Sequence, residues 1–334
     1  VVIAAGQVND VRLYRDLVSS GIQDYLLKPF SADQMRDALA QAQMTIAGPR
    51  LTDGAAADRP HLMTAFVGVR GGVGASSLAA SVAWLFGEKE GRSTALLDLD
   101  VHFGTGALSL DLEPGRGLTD AIENPSRIDG LFLERAMVKA SEKLAVLSAE
   151  APISSPLVHD GAAFFQLQEE LKSAFECTVI DLPRSALVTH PHLLHEVHAI
   201  VLVTEFTLAA TRDTIRLLSW LKSTAPQAKI IVVANKVPTS GVTEISRKDF
   251  ESSIERKVDI VLPYEPKLAT QAAKLGKPVA EVGKTAKLGT CLADLAQRLT
   301  KTADSLEPGK RPSGKSLLGK LGDFRAMLPK KAKA

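Results

Sequence analysis

Arg70-Gly71-Gly72-Val73-Gly74-Ala75-Ser76-Ser77 follows directly on the apolar run Leu62 to Val69 and leads into a helical pattern from Ser76 to Glu88. A glycine-rich turn between a strand and a helix lets backbone N–H groups converge on an anion, and the helix N-terminus adds partial positive charge. Glycine is needed there because a Cβ would block close approach and because some positions take φ > 0.

Against the general phosphate-loop spacing G-x-x-x-x-G-K-[ST], Gly68 and Gly74 are read as the glycines and Ser76 as the hydroxyl, while Ala75 stands where the lysine belongs. A nucleotide could bind through amides, helix dipole and a Mg²⁺ held by Ser76. Loss of the ammonium predicts weaker affinity and weaker hydrolysis. The competing pattern is a dinucleotide-binding turn, with Gly72, Gly74 and Ser77 fitting G-x-G-x-x-[GA] imperfectly and Asp98 near the ribose-reading distance. Features further along the chain decide against it.

From His61 onward the sequence alternates strands and helices, which predicts an α/β fold with a mostly parallel sheet. Strands are expected at Leu62 to Val69, Thr94 to Leu99, Leu144 to Ser148, Thr178 to Leu182, Ala199 to Thr204, Lys229 to Ala234 and Ile260 to Leu262. Helices are expected at Ser76 to Glu88, Ala162 to Ala174, Thr211 to Thr224, Lys267 to Leu275 and Cys291 to Ala303.

The loop resembles the deviant Walker A of MinD/ParA P-loop ATPases, K-G-G-V-G-K-[ST]-[ST]. It is more similar still to the CpaE/TadZ subfamily of Flp/Tad pilus assembly proteins, where a small residue often replaces the Walker lysine. Asp98-Leu99-Asp100 with His102-Phe103-Gly104 resembles the family's D-x-D-x-x-F-G motif. Val179-Ile180-Asp181-Leu182-Pro183-Arg184 resembles its Walker B strand in the D-L-P-R form. Val203-Thr204-Glu205 and Thr211-Arg212-Asp213 match the next strand and helix, Val232 to Lys236 and Leu262 to Glu265 match the base-side segments, and Gly276-Lys277-Pro278-Val279 matches the family's G-x-P turn. The likeness spans roughly His61 to Leu299.

The resemblance implies roles. Gly71, Gly72, Val73, Gly74, Ala75, Ser76 and Ser77 would cradle the phosphates of ATP. Ser76, Asp98 and Asp181 would hold Mg²⁺ or its waters. Asp100 would orient the attacking water or reshape the loop, and Asn235 and Pro263 would border adenine. Arg70 stands at the signature lysine, which crosses a dimer to the partner's phosphates; arginine keeps the charge with different geometry. A nucleotide-sandwich homodimer with slow or absent hydrolysis is the resulting expectation. An aspartate at a parallel strand's end can also simply cap a neighbouring helix, and Arg70 can be an ordinary turn arginine.

The N-terminal β-α-β-α pattern, with helices at Asp10 to Ser19 and Ala32 to about Thr45, resembles the last half of a receiver domain. Gly21 to Phe30 matches G-x-x-D-Y-L-x-K-P-F, in which the Lys28-Pro29 bond would be cis. The resemblance implies a targeting or dimerisation module. The expected divisions are a partial receiver-like domain at 1–47, a linker at 48–60, an ATPase domain at 61–304 and a basic tail at 305–334. The chain begins at Val1 inside an apolar run, so a piece of a longer protein is expected.

In the tail, Leu317, Leu318, Leu321, Phe324, Met327 and Leu328 fall on one helical face, with Lys320 and Arg325 off it; Gly319 and Gly322 weaken such a helix by about 1 kcal/mol each. Two readings stand: membrane or partner docking, and a solubilising tail. From Lys301 onward nine Lys or Arg face three Asp or Glu, leaving the rest at about −4 in a chain of net charge +2.

Hydrophobic residues at 45% and charged residues at 23% describe a soluble globular protein. No apolar run reaches the ~18 residues of a membrane span. Two cysteines exclude a disulfide framework, and Cys177, within the apolar run Phe175 to Ile180, reads as a small buried hydrophobe. The expected setting is cytoplasmic, at a pole or peripheral to the inner membrane, with pilus or secretion assembly proteins as partners and no nucleic acid. Two alternatives stand beside this: a cycling partition or septum-type ATPase, which Ala75 opposes, and a nucleotide-free scaffold, which the Asp98, Asp181 and Asn235 set opposes.

Overall fold

Leu62 to Gly68 alternates in the way a doubly covered strand must. Met63, Ala65 and Val67 enter one apolar cluster, Leu62 and Phe66 enter another, and all five are fully buried. Apolar residues on both faces require helices on both sides of the sheet. The computed structural model describes residues 3–8, 24–32, 35–36, 60–154, 161–241 and 243–304.

A two-stranded parallel sheet pairs β1 (Ile3–Gly6) with β2 (Asp24–Leu27), and the Lys28–Pro29 peptide after it is cis. The expected Asp10 to Ser19 helix, most of the Ala32 to Thr45 helix, nearly all of the 48–60 linker and the 305–334 tail lie outside the described residues.

The large sheet comprises β3 (Leu62–Gly68), β4 (Thr94–Asp98), β5 (Val138–Lys139), β6 (Leu144–Leu147), β7 (Cys177–Asp181), β8 (Ala199–Thr204), β9 (Lys229–Val237) and β10 (Ile260–Pro263). Its order is β10-β9-β8-β3-β7-β4-β6-β5, parallel throughout except for the antiparallel β5. The α/β, mostly parallel architecture is the one expected.

Helices follow as α1 (Ala75–Trp84), extended by a π-helical turn at Leu85–Lys89, then α2 (Gly117–Glu123), α3 (Gly130–Ala136), α4 (Ala162–Ala174) and α5 (Arg184–Thr189). The remainder are α6 (Leu208–Thr224), α7 (Arg247–Ser253), α8 (Pro266–Lys274), α9 (Val279–Val282) and α10 (Lys287–Asp304). One face of the sheet is covered by Phe164, Leu167 and Leu171 of α4 with Leu218 and Leu221 of α6. The other carries Leu78 and Val82 of α1 with Leu288, Leu292, Leu295 and Leu299 of α10.

The expected strands form within a residue or two, but β9 runs on past Ala234 through Asn235 and Lys236 to Val237. The short helices α2, α3, α5, α7 and α9 were not anticipated; too few residues repeat in each for a 3.6-residue period to show. Cys177 is fully buried, and burial pushes its thiol up to about 12, so it packs and does not react.

β3 is central, with β7 and β8 as its neighbours, so its C-terminal end opens where successive connections leave on opposite sides, the usual crevice for ligands in open α/β sheets. Phe66→Ala should destabilise the protein by about 3–5 kcal/mol, read as a lower urea midpoint at unchanged slope.

Candidate functional site

β3 delivers the chain into the glycine loop, and α1 begins immediately after it. Gly74 is the N-cap of α1 at φ 93°, and Gly72 has φ 79°. At Gly74 a Cβ would also lie 2.6 Å from Asn235 Nδ2, so both backbone and space require glycine. No side chain caps α1 and no acidic residue stands in its first turn, which leaves its N-terminal N–H groups for an anion. The first-glycine position of the general pattern, five residues before Gly74, is Val69 and not Gly68. Gly68 belongs to β3, and Val69 still donates its N–H to Val203 O at 2.9 Å. Ser76 and Ala75 are half-buried, and Gly71 and Ser77 are exposed.

Asp98 and Asp181 are register partners at the ends of β4 and β7. Burial, then the Asp98 charge, pushes Asp181 up to about 7, while a hydrogen bond from the Ser76 hydroxyl opposes the rise. Burial also raises Asp98, against backbone N–H donors from Gly106 and Asp100 that favour its charge. Asp98 Oδ1 accepts from Asp100 N at 3.1 Å and Oδ2 from Gly106 N at 2.8 Å. The carboxylate thus organises the loop after β4, which explains Gly104: a Cβ there would lie 2.5 Å from Asp98 Oδ2. Asp100 Oδ1 accepts from Phe103 N at 3.1 Å.

The fit to Mg²⁺ rests on this charge excess. Asp181, beside Asp98 and Asp100 and bonded to Ser76, is a carboxylate whose ionisation a cation would relieve. Among the described residues no group of three or more His, Cys, Asp or Glu side chains could hold a metal alone. The oxygen donors of Ser76, Asp98 and Asp181 are of the kind that Mg²⁺ takes beside its waters.

Cations surround the loop from outside. Arg184 Nη1 donates to Val69 O at 3.3 Å. Arg70 Nη1 donates to Asp213 Oδ2 at 2.9 Å within the same chain, where Arg212 also meets Asp213. Expected to cross a dimer, Arg70 is here tied to α6. Asn235, expected at adenine, donates from Nδ2 to Val73 O at 2.8 Å, and Lys236 Nζ donates to Gly72 O. Both also line a cavity of about 180 Å³ with Gly74, Pro263, Tyr264 and Val279. The loop contacts of Arg184, Asp213 and Lys236 were not read from the sequence, although each stands in a quoted motif.

No protein-family model matches the chain, and no curated protein matches it. Solved structures do resemble it. A ParA family ATPase from Chlorobium tepidum superposes with a TM-score of 0.65 at 20% identity, covering 71% of this chain and 98% of that one. The MinC:MinD cell division protein complex of Aquifex aeolicus gives 0.59 at 20% identity over 75% and 98%. The septum site-determining protein MinD of Pyrococcus horikoshii, complexed with Mg-ADP, gives 0.55 at 18% identity over 73% and 97%. The fold is thus that of the MinD/ParA-like P-loop ATPases. Among the described residues no helix is long and apolar enough to cross a membrane.

Between about 3.8 and about 7 the folded state holds the Asp181 proton that the unfolded chain releases. Its contribution to stability is complete below about 3.8 and is lost as pH rises towards about 7. Asp181→Asn should therefore melt on the order of 5 °C above the wild type at pH 8 and level with it at pH 4, as scanning calorimetry without nucleotide would show.

Proposed function

We propose that the protein is an ATP-binding, dimerising localisation or assembly factor with weak or absent hydrolysis, serving an Flp/Tad pilus or related secretion machinery. The observation that carries the nucleotide reading is an uncapped, glycine-built helix N-terminus beside the Ser76–Asp181 pair. An open cradle of amides with a divalent-cation position next to it suits a nucleoside triphosphate.

In this reading the amides of residues 71–77 hold the phosphates, and Ser76 and Asp181 hold Mg²⁺, with Asp98 adding charge behind them. Bound Mg²⁺ would supply positive charge to the phosphate oxygens. Asp100, on the loop that Asp98 organises, would orient a water. Pro263 and Asn235 border the base. Ala75 lowers the transition-state charge stabilisation that a lysine would give, so binding outlasts chemistry.

Arg70 serves the dimer. Its guanidinium must leave Asp213 before it can reach a partner's phosphates, so nucleotide would act by favouring the dimeric state. The pilus assignment rests on the D-L-P-R form at Asp181 to Arg184 and on the small residue at position 75. The division into a receiver-like segment, linker, ATPase domain and basic tail belongs to the same reading, as does placement at a pole or the inner membrane.

Light scattering with ATP and Mg²⁺, run beside a phosphate-release assay, tests this. A dimer that forms with turnover below about 0.01 per second, far under ordinary enzyme rates, is the expected result. Rapid phosphate release would favour a cycling partition ATPase, and absence of any nucleotide effect would leave a scaffold. Asp181→Ala should weaken Mg·ATP binding at least about ten-fold, the scale of a lost charge-assisted contact; unchanged affinity removes Asp181 from the site.

A further inference from the structure

Asn235 and Lys236 are neighbours in β9, and in a regular strand their side chains would point to opposite faces. Here both reach the phosphate loop, across the end of β8. The reason is a bulge: β10 residues Val261 and Pro263 pair with Ala234 and Val237, so β9 carries one extra residue between them. Lys236 sits in it at φ 53°, a left-handed conformation that a lysine rarely takes. Strain of this kind persists where surrounding contacts fix it.

Those contacts are specific. Lys236 Nζ donates to Gly72 O and lies 3.2 Å from Glu205 Oε1, just past β8. Asn235 Nδ2 donates to the next carbonyl, Val73 O. In a trans peptide the C=O and N–H point in opposite directions. Fixing two consecutive carbonyls toward β9 therefore turns the N–H groups of Val73 and Gly74 the other way, into the cradle. Meanwhile Ala75 leaves the loop without its own ammonium.

We propose that Lys236 is a positioning residue that replaces the cation missing at position 75: from the β9 bulge it fixes the loop's backbone and restores positive charge at its edge. The inference rests on the nucleotide reading above. Glu205 holds the ammonium against the Gly72 carbonyl, so the loop backbone is fixed before any anion arrives. The ligand class favoured is a nucleoside di- or triphosphate, since the N–H groups that Lys236 and Asn235 fix face the cradle.

A double-mutant cycle tests the replacement. ATP affinity with Mg²⁺ would be measured by calorimetry for the full-length wild type, Lys236→Met, Ala75→Lys and the double variant, with Lys236→Arg as the conservative control and melting temperature as the check on folding. Lys236→Met should lose about ten-fold or more in affinity, the size expected of a charge-assisted contact. The same change in the Ala75→Lys background should cost less than about three-fold, because the supplied lysine takes over. Lys236→Arg should recover most of the loss.

Equal losses in the two backgrounds would reduce Lys236 to a purely structural brace and overturn the proposal, as would a Lys236→Met protein that binds like the wild type. Failure of the wild type itself to bind ATP is a different result: it removes the nucleotide reading and this inference together.

Discussion

The hold of β9 on the phosphate loop is the constraint on which the site depends. Two side chains grip two successive loop carbonyls, and both can do so because a bulge breaks the strand's alternation. Asn235 also lies against Gly74, at the point where any Cβ would collide with its amide. Loop, helix N-terminus and the adjoining cavity are therefore joined through β9.

Charge follows the same geometry. Asp98 and Asp181 end neighbouring strands in register, and burial beside one another makes ionisation of Asp181 unfavourable. Positive charge has been moved outward, to Arg70 on Asp213, Arg184 on Val69 O and Lys236 on Gly72 O. A site of this kind is electrostatically unbalanced on the inside and held together from the outside. A polyanion carrying a divalent cation would correct the imbalance at the centre.

Much of the fold was legible because parallel strands buried on both faces read as continuous apolar runs, as Leu62 to Gly68 and Ala199 to Thr204 do. Helices long enough to show a period, such as Ala162–Ala174, were legible as well. α5 and α9, of six and four residues, were not, because they are one or two turns held by packing. The antiparallel β5 has two residues and no pattern at all. Candidate site residues were legible by type and place: Gly72 and Gly74 take the positive φ that the loop demanded.

The sequence by itself determined the order of strands and helices, the glycine loop at the end of β3 and the absence of a lysine at position 75. It did so because backbone sterics and hydrophobic period are local properties. Only the tertiary structure decided where the cations go. Lys236 lies 164 residues from Gly72 and Asp213 lies 143 from Arg70, so their contacts depend on strand order and on one extra residue in β9. A register shift of that kind arises between strands, from hydrogen bonds that no single segment encodes.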